Sequence, residues 1–94
     1  MGILVVGGDN IEKISTKLTT KGFDEINHYN GRKKGQRKFK VSKNMDYILV
    51  LTDYLNHAMM ENIRKKAKIA EIPVIYSTRS WSSIEKNVDG IVCN

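Results

Sequence analysis

Unbroken apolar runs alternate along this chain with segments in which apolar residues recur at helical spacing. The run over residues 3–6 is rich in β-branched residues and stops at a double glycine, which predicts a strand buried on both faces and then a turn. Apolar residues at positions 11, 14 and 18 predict a helix over about 10–21, which Asp9 or Asn10 would cap and Gly22 would end. The chain therefore opens with a predicted strand–turn–helix unit.

The same alternation continues to the end of the sequence. Apolar runs predict strands over residues 23–29, 45–51 and 74–76, and a last short strand over 90–93. A buried stripe at helical spacing predicts a long helix over about residues 56–70, and a short helix is expected over 83–87. Residues 30–44 have no clear period and are expected to form a loop.

Strands that alternate with helices over these lengths predict a single α/β domain spanning residues 1–94, with a small, mostly parallel, doubly wound sheet. The expected strand order is about 2-1-3-4-5, with helices on both faces, as in half a Rossmann fold or a shortened flavodoxin-like fold. In such a sheet every strand-to-helix turn lies at one end.

The positive charge of the protein is concentrated in one segment. Of 16 basic residues, seven lie within residues 32–43, which contain no acidic residue. The other nine basic residues are balanced by the ten acidic residues, so this segment carries the excess that gives the net charge of +6. We consider three interpretations of this segment: a solvated loop, a contact for nucleic-acid phosphates, or a lid that folds over an anionic ligand. The lid is the favoured interpretation. The lid would span residues 30–44.

The remaining composition narrows the protein class. A single cysteine, Cys93, excludes an internal disulfide and favours a reducing compartment. The sequence has neither a signal-peptide pattern nor an apolar run of about 20 residues, the length of a membrane span. We therefore expect a cytoplasmic protein of a bacterium or a bacteriophage, with no membrane partner.

The polar turns that follow the predicted strands are expected to form a ligand site. Ligands of open α/β sheets bind outside the carboxyl ends of the strands, near the point where strand order reverses. The residues expected there are Gly7, Gly8, Asp9, Asn10, His28, Asn30, Gly31, Arg32, Lys33, Thr52, Asp53, Tyr54, His57, Ser77, Arg79, Ser80 and Trp81.

Several of these residues suit an anionic ligand with a flat ring. Arg79 can hold phosphate or carboxylate at two points, and Tyr54 or Trp81 can stack on a ring, although core packing explains Trp81 equally well. Asp53 can accept from a sugar or base, or cap a helix. The double glycine lacks the full phosphate-binding fingerprints, and the two histidines do not have metal-site spacing.

Four segments carry a resemblance to a known family. They are I-L-V-V-G-G-D, H-Y-N-G-R-K, V-L-T-D-Y-L-N-H and I-P-V-I-Y-S-T-R-S-W. Together they resemble the bacterial family catalogued as domain of unknown function 2325, and the resemblance covers nearly the whole chain. It implies a small Rossmann- or flavodoxin-like protein with no assigned enzyme activity.

Three functions stay open at this point, and the first is favoured. It is the non-catalytic binding, for sensing or sequestration, of a small anionic ligand such as a nucleotide or nucleotide-derived signal, by a homodimer or higher oligomer. The alternative is a nucleic-acid-binding module that uses residues 32–43. The third is a small metal-dependent phosphohydrolase built on Asp9 and Asp53. No catalytic residue, metal or cofactor is assigned for the favoured function.

Overall fold

The computed structural model describes residues 1–29 and 44–92 of the chain. Among the described residues, four strands alternate with three helices, except that the third strand is the next described element after the second, and a 3₁₀ turn, Thr52–Tyr54, precedes the second helix. The elements are β1 (Gly2–Val6), α1 (Glu12–Thr20), β2 (Glu25–Tyr29), β3 (Tyr47–Leu51), α2 (His57–Ala70), β4 (Val74–Ser77) and α3 (Trp81–Val92).

Within the described residues, the four strands form one parallel sheet in the order β2-β1-β3-β4. This confirms the small doubly wound α/β fold and places the reversal of strand order between β1 and β3. Val6 pairs with Tyr29 on one side and with Val50 on the other, so the carboxyl ends of the central strands are level. None of the helices described here is long and apolar enough to cross a membrane.

The apolar side chains form two buried clusters, one on each face of the sheet. The first joins alternate residues of β1 and β3 to Leu18 of α1 and to Ile84 and Val88 of α3. The second joins the intervening strand residues to Ile63 and Ala67 of α2. The central strands therefore supply both cores, which is why their sequences are apolar without alternation.

The last strand predicted over residues 90–93 is wrong, whereas the helix predicted over residues 83–87 is confirmed and is longer than expected. A single helix, α3, runs from Trp81 to Val92 and includes most of the segment expected to be a strand. Ile84 and Val88 lie one helical turn apart and are both fully buried. Their packing favours a helix that continues past Gly90. A short apolar run cannot be assigned to strand or helix from its periodicity alone.

Helix α1 begins after Ile11, not after Asp9 or Asn10 as predicted. The Asn10 side chain nevertheless serves the first turn, because its Oδ1 accepts from the backbone N–H of Glu12 at 3.0 Å. The helix ends at Gly22 as expected, where φ is 103°. The N–H of Phe23 reaches the carbonyl oxygen of Leu18 at 3.3 Å, which closes the helix with a Schellman bond.

The outer edge of β4 is covered in part by α3. Asn87 donates from Nδ2 to the carbonyl oxygen of Tyr76 at 3.1 Å. The carbonyl that an added strand would use is therefore already bonded, which protects this sheet edge.

Replacing Glu71 by glycine is expected to raise the free energy of unfolding by about 1 kcal/mol. Glu71 closes α2 in the left-handed region, with φ 59° and ψ 39°, where a side chain is unfavourable and glycine is not. Urea denaturation measures the change. Glu71→Ala is the control, since it keeps a Cβ atom, and an equal gain there would contradict the explanation.

Candidate functional site

Three of the polar turns predicted to form the site, those that follow β1, β3 and β4, meet in a cleft at the carboxyl ends of the strands. The cleft has a volume of about 410 Å³, within the range of small-molecule sites. Three of its residues are cations, two carry aromatic rings, and one is a carboxylate. Its lining is Asn10, Glu12, Lys13, Ile14, Lys17, Tyr54, Arg79 and Trp81.

Among the described residues, the double glycine lies outside the cleft lining and contacts it through Tyr54. Gly7 and Gly8 have φ of 105° and 83°, and both are buried. The N–H of Gly7 donates to the Tyr29 carbonyl at 2.8 Å, which fixes the turn to the end of β2. A Cβ atom on Gly8 would lie 3.5 Å from Cε2 of Tyr54, so the tyrosine ring packs directly on the turn.

Asp53 and Tyr54 hold the Arg79 turn from the end of β3. Asp53 Oδ2 accepts from the backbone N–H of Arg79 at 3.0 Å. Hydrogen bonding to Tyr54 raises the pKa of the Arg79 guanidinium above its usual range, and the charge of Asp53 adds to the effect. The predicted Asp53 is therefore used to position the loop, and the arginine remains a full cation.

Trp81 opens α3 at the wall of the cleft. It is half-buried and packs against the first buried cluster, which agrees with the core interpretation of this residue. Its ring also faces α1, because the Lys17 ammonium lies over it at 5.4 Å from the ring centroid. Trp81 therefore belongs to both the core and the cleft.

Two predicted hydroxyl residues join β3 to β4. Thr52 Oγ1 donates to the carbonyl oxygen of Ser77 at 3.2 Å. The Ser77 hydroxyl is buried, 2.9 Å from the Thr78 carbonyl oxygen and 3.0 Å from Ser83 Oγ. Within the described part of the chain, both lie outside the cleft lining. Ser80 is exposed, with its Oγ 2.8 Å from Ser82 Oγ.

The two histidines occupy different places. His28 Nε2 lies 3.0 Å from the carbonyl oxygen of Gly7, so it supports the glycine turn from β2. His57 is exposed at the start of α2, after the Asn56 cap, whose Oδ1 accepts from Met59 N at 2.8 Å. Asp9 is exposed beside the turn. Among the described residues, no three His, Cys, Asp or Glu side chains group as metal ligands.

Sequence reasoning missed the contribution of α1. Lys13 and Lys17, one helical turn apart, line the cleft together with Glu12 and Ile14. Lys13 and Lys17 also line a second hollow of about 370 Å³, with Glu12 and Thr16. The spacing of the two lysines could have identified a shared face, but not which sheet end it meets.

The remaining predicted site residues, Asn30, Gly31, Arg32 and Lys33, lie outside the described residues, as does the basic segment over residues 32–43. No curated protein and no solved structure matches the sequence. The family resemblance is confirmed, because a family model matches residues 2–91, nearly the whole chain. The protein therefore belongs to the bacterial family described as "Uncharacterized protein conserved in bacteria (DUF2325)".

Proposed function

We propose that this protein binds a small anionic ligand, a nucleotide or nucleotide-derived signal, in the cleft at the carboxyl ends of the strands. Binding is the whole function in this proposal: the protein senses or sequesters the ligand and does not transform it. The site is the strand-end cleft lined by α1, the 3₁₀ turn and the start of α3.

The observation that carries the proposal is the combination of cations and rings in one cleft. Lys13, Lys17 and Arg79 supply three positive charges against the single carboxylate of Glu12. The indole of Trp81 and the phenol of Tyr54 supply flat surfaces beside them. Phosphate and an aromatic base are the two chemical groups that such a lining complements.

Arg79 is held in place before any ligand arrives. Its backbone N–H donates to Asp53 Oδ2 at 3.0 Å, so the turn that carries the guanidinium is tied to the end of β3. A turn that is already fixed loses less backbone freedom when its arginine binds phosphate than a free loop does. We therefore assign the main phosphate contact to Arg79.

The test is calorimetric titration of the purified protein with ATP and with tripolyphosphate. Arg79→Ala is expected to weaken the binding of both by about tenfold or more, the value of a charge-assisted hydrogen bond. Arg64→Ala is the matched control. Arg64 is exposed on α2, on the other face of the sheet, with Glu61 Oε2 at 2.9 Å, and its removal should leave both affinities unchanged.

An unchanged affinity in Arg79→Ala would contradict the proposed site. A triple variant with Arg37, Lys38 and Lys40 neutralised separates the alternative that relies on the basic segment. Loss of RNA or DNA retention in that variant, with no anion binding in the cleft of the unmodified protein, would transfer the function to residues 32–43.

The proposal includes a homodimer or higher oligomer, working in the cytoplasm. Its support is the exposed apolar surface: Ile69 is 84% exposed, and Tyr76 and Ile91 are also exposed. Native mass spectrometry reports the assembly mass and any ligand carried through purification. A monomer mass at micromolar concentration would contradict the assembly without affecting the cleft.

A further inference from the structure

We infer that the base of the ligand stacks on the face of the Trp81 ring that Lys17 covers. When the ligand binds, the Lys17 ammonium leaves the ring and contacts the phosphate of the ligand instead. The inference rests on the proposed function and deepens it, because it specifies the ligand class. The cleft then selects molecules that carry an aromatic ring and a phosphate together, rather than either group alone.

Two lysines contact α3, Lys17 within α1 and Lys21 just after its end, and they are held very differently. Lys21 is 3.1 Å from Glu85 Oε2 and 3.3 Å from Asp89 Oδ2, which fixes it between two carboxylates. Lys17, one turn earlier, lies over the Trp81 ring. In the described part of the chain no carboxylate lies within ion-pair distance of Lys17. Lys17 is therefore the lysine that can move.

The ring beneath Lys17 is fixed. Trp81 is half-buried and packs against the buried cluster that contains Ile84 and Val88, so its position follows from the fold. A flat base and an ammonium group cannot cover the same ring face at once. A base can therefore stack there only after the Lys17 ammonium has left.

The exchange is favourable only for a ligand with both groups. Stacking of a base on an aromatic ring is worth more than an exposed cation–π contact, and an ammonium gains a charge-assisted bond when it meets phosphate. A nucleoside displaces Lys17 without offering it an anion. A polyphosphate attracts Lys17 but leaves the ring of Trp81 without a stacking partner.

The chain contains one tryptophan, so its fluorescence reports this ring alone. The probes are ATP, GTP, CTP and UTP, with adenosine and tripolyphosphate as the two separated parts. In Lys17→Ala we expect ATP to bind about tenfold more weakly, since a phosphate contact is lost. Adenosine is expected to bind at least as tightly as before, because the ring is no longer covered.

Trp81→Leu tests the ring itself. It keeps an apolar side chain against the core, and is expected to weaken ATP binding by about tenfold while tripolyphosphate binding is retained. Lys13→Ala is the matched control for charge. Lys13 lines the cleft, so its loss should weaken ATP binding but leave adenosine binding unchanged. Circular dichroism of each variant verifies that it is folded.

The outcomes separate this inference from the function on which it rests. Equal ATP affinity in Trp81→Leu, or weaker adenosine binding in Lys17→Ala, would overturn the exchange while tripolyphosphate binding still supported an anion site. If none of the four nucleotides alters Trp81 emission although tripolyphosphate binds, the base docks elsewhere or not at all, which also overturns it. If no probe binds at millimolar concentration, the proposed function itself fails.

Discussion

Replacing Gly7 by valine is expected to lower the free energy of unfolding by about 3 kcal/mol. Gly7 has φ of 105°, a backbone conformation that a β-branched residue rarely adopts. A Cβ atom there would also lie 3.1 Å from the carbonyl oxygen of Leu51 and 3.3 Å from Cβ of Tyr54. The carbonyl belongs to the last residue of a central strand, so it cannot move without disturbing the sheet.

Urea denaturation of the full chain measures this change. Domains of this size are stable by about 5–15 kcal/mol, so the expected loss is a large fraction of the total. Gly90→Ala is the control with the opposite sign. Gly90 lies within α3 and an added Cβ would meet nothing within 4 Å, so alanine should raise stability by up to about 1 kcal/mol. Equal unfolding midpoints for the two variants would contradict the assigned role of Gly7.

The Gly7 effect also links the turn to the site. The same substitution presses on Tyr54, whose ring packs on Gly8 and whose side chain interacts with Arg79. The double glycine therefore does not need to touch a ligand in order to matter for the cleft. Its small size lets Tyr54, which lines the cleft together with Arg79, lie close to the strand end.

The fold was largely predictable because its central strands are buried on both faces. Val5 and Val6 point to opposite clusters, yet both are fully buried. An unbroken apolar run next to segments of helical spacing is typical of a strand in a parallel sheet that is covered on both faces. The error came at the end of the chain. There Gly90 comes just before a short apolar run and is typical of a turn that leads into a strand, but packing of Ile84 and Val88 against the sheet extends the helix.

The site was predictable by segment rather than by side chain. The topology determines which turns meet, so Asn10, Tyr54, Arg79 and Trp81 were found. Other polar side chains of those turns bond to backbone groups instead of lining the cleft, as Thr52 does with the Ser77 carbonyl oxygen. A sequence does not show which side chains are used in this way. The rotation of α1 about its own axis is also set by packing, which is why Lys13 and Lys17 were missed.

Phe23→Ala is expected to cost about 3–5 kcal/mol, the loss typical of a buried phenylalanine. Phe23 is 1% exposed and meets the Tyr47 ring edge-on, with centroids 6.1 Å apart at 88°. Its N–H also closes α1 through Leu18. Urea denaturation measures the loss, and Lys86→Ala is the control, because Lys86 is exposed on α3 and its truncation should change stability by less than about 0.5 kcal/mol.

This variant also separates stability from binding. Phe23 precedes β2 and Tyr47 begins β3, so their contact lies at the amino ends of the strands, opposite the cleft. We therefore expect the folded fraction of Phe23→Ala to bind ATP with the affinity of the unmodified protein. A loss of affinity in the folded fraction, equal to that in Arg79→Ala, would mean that the position of α1 couples the two ends of the sheet. In that case Lys13 and Lys17, which α1 carries to the cleft, would transmit the change.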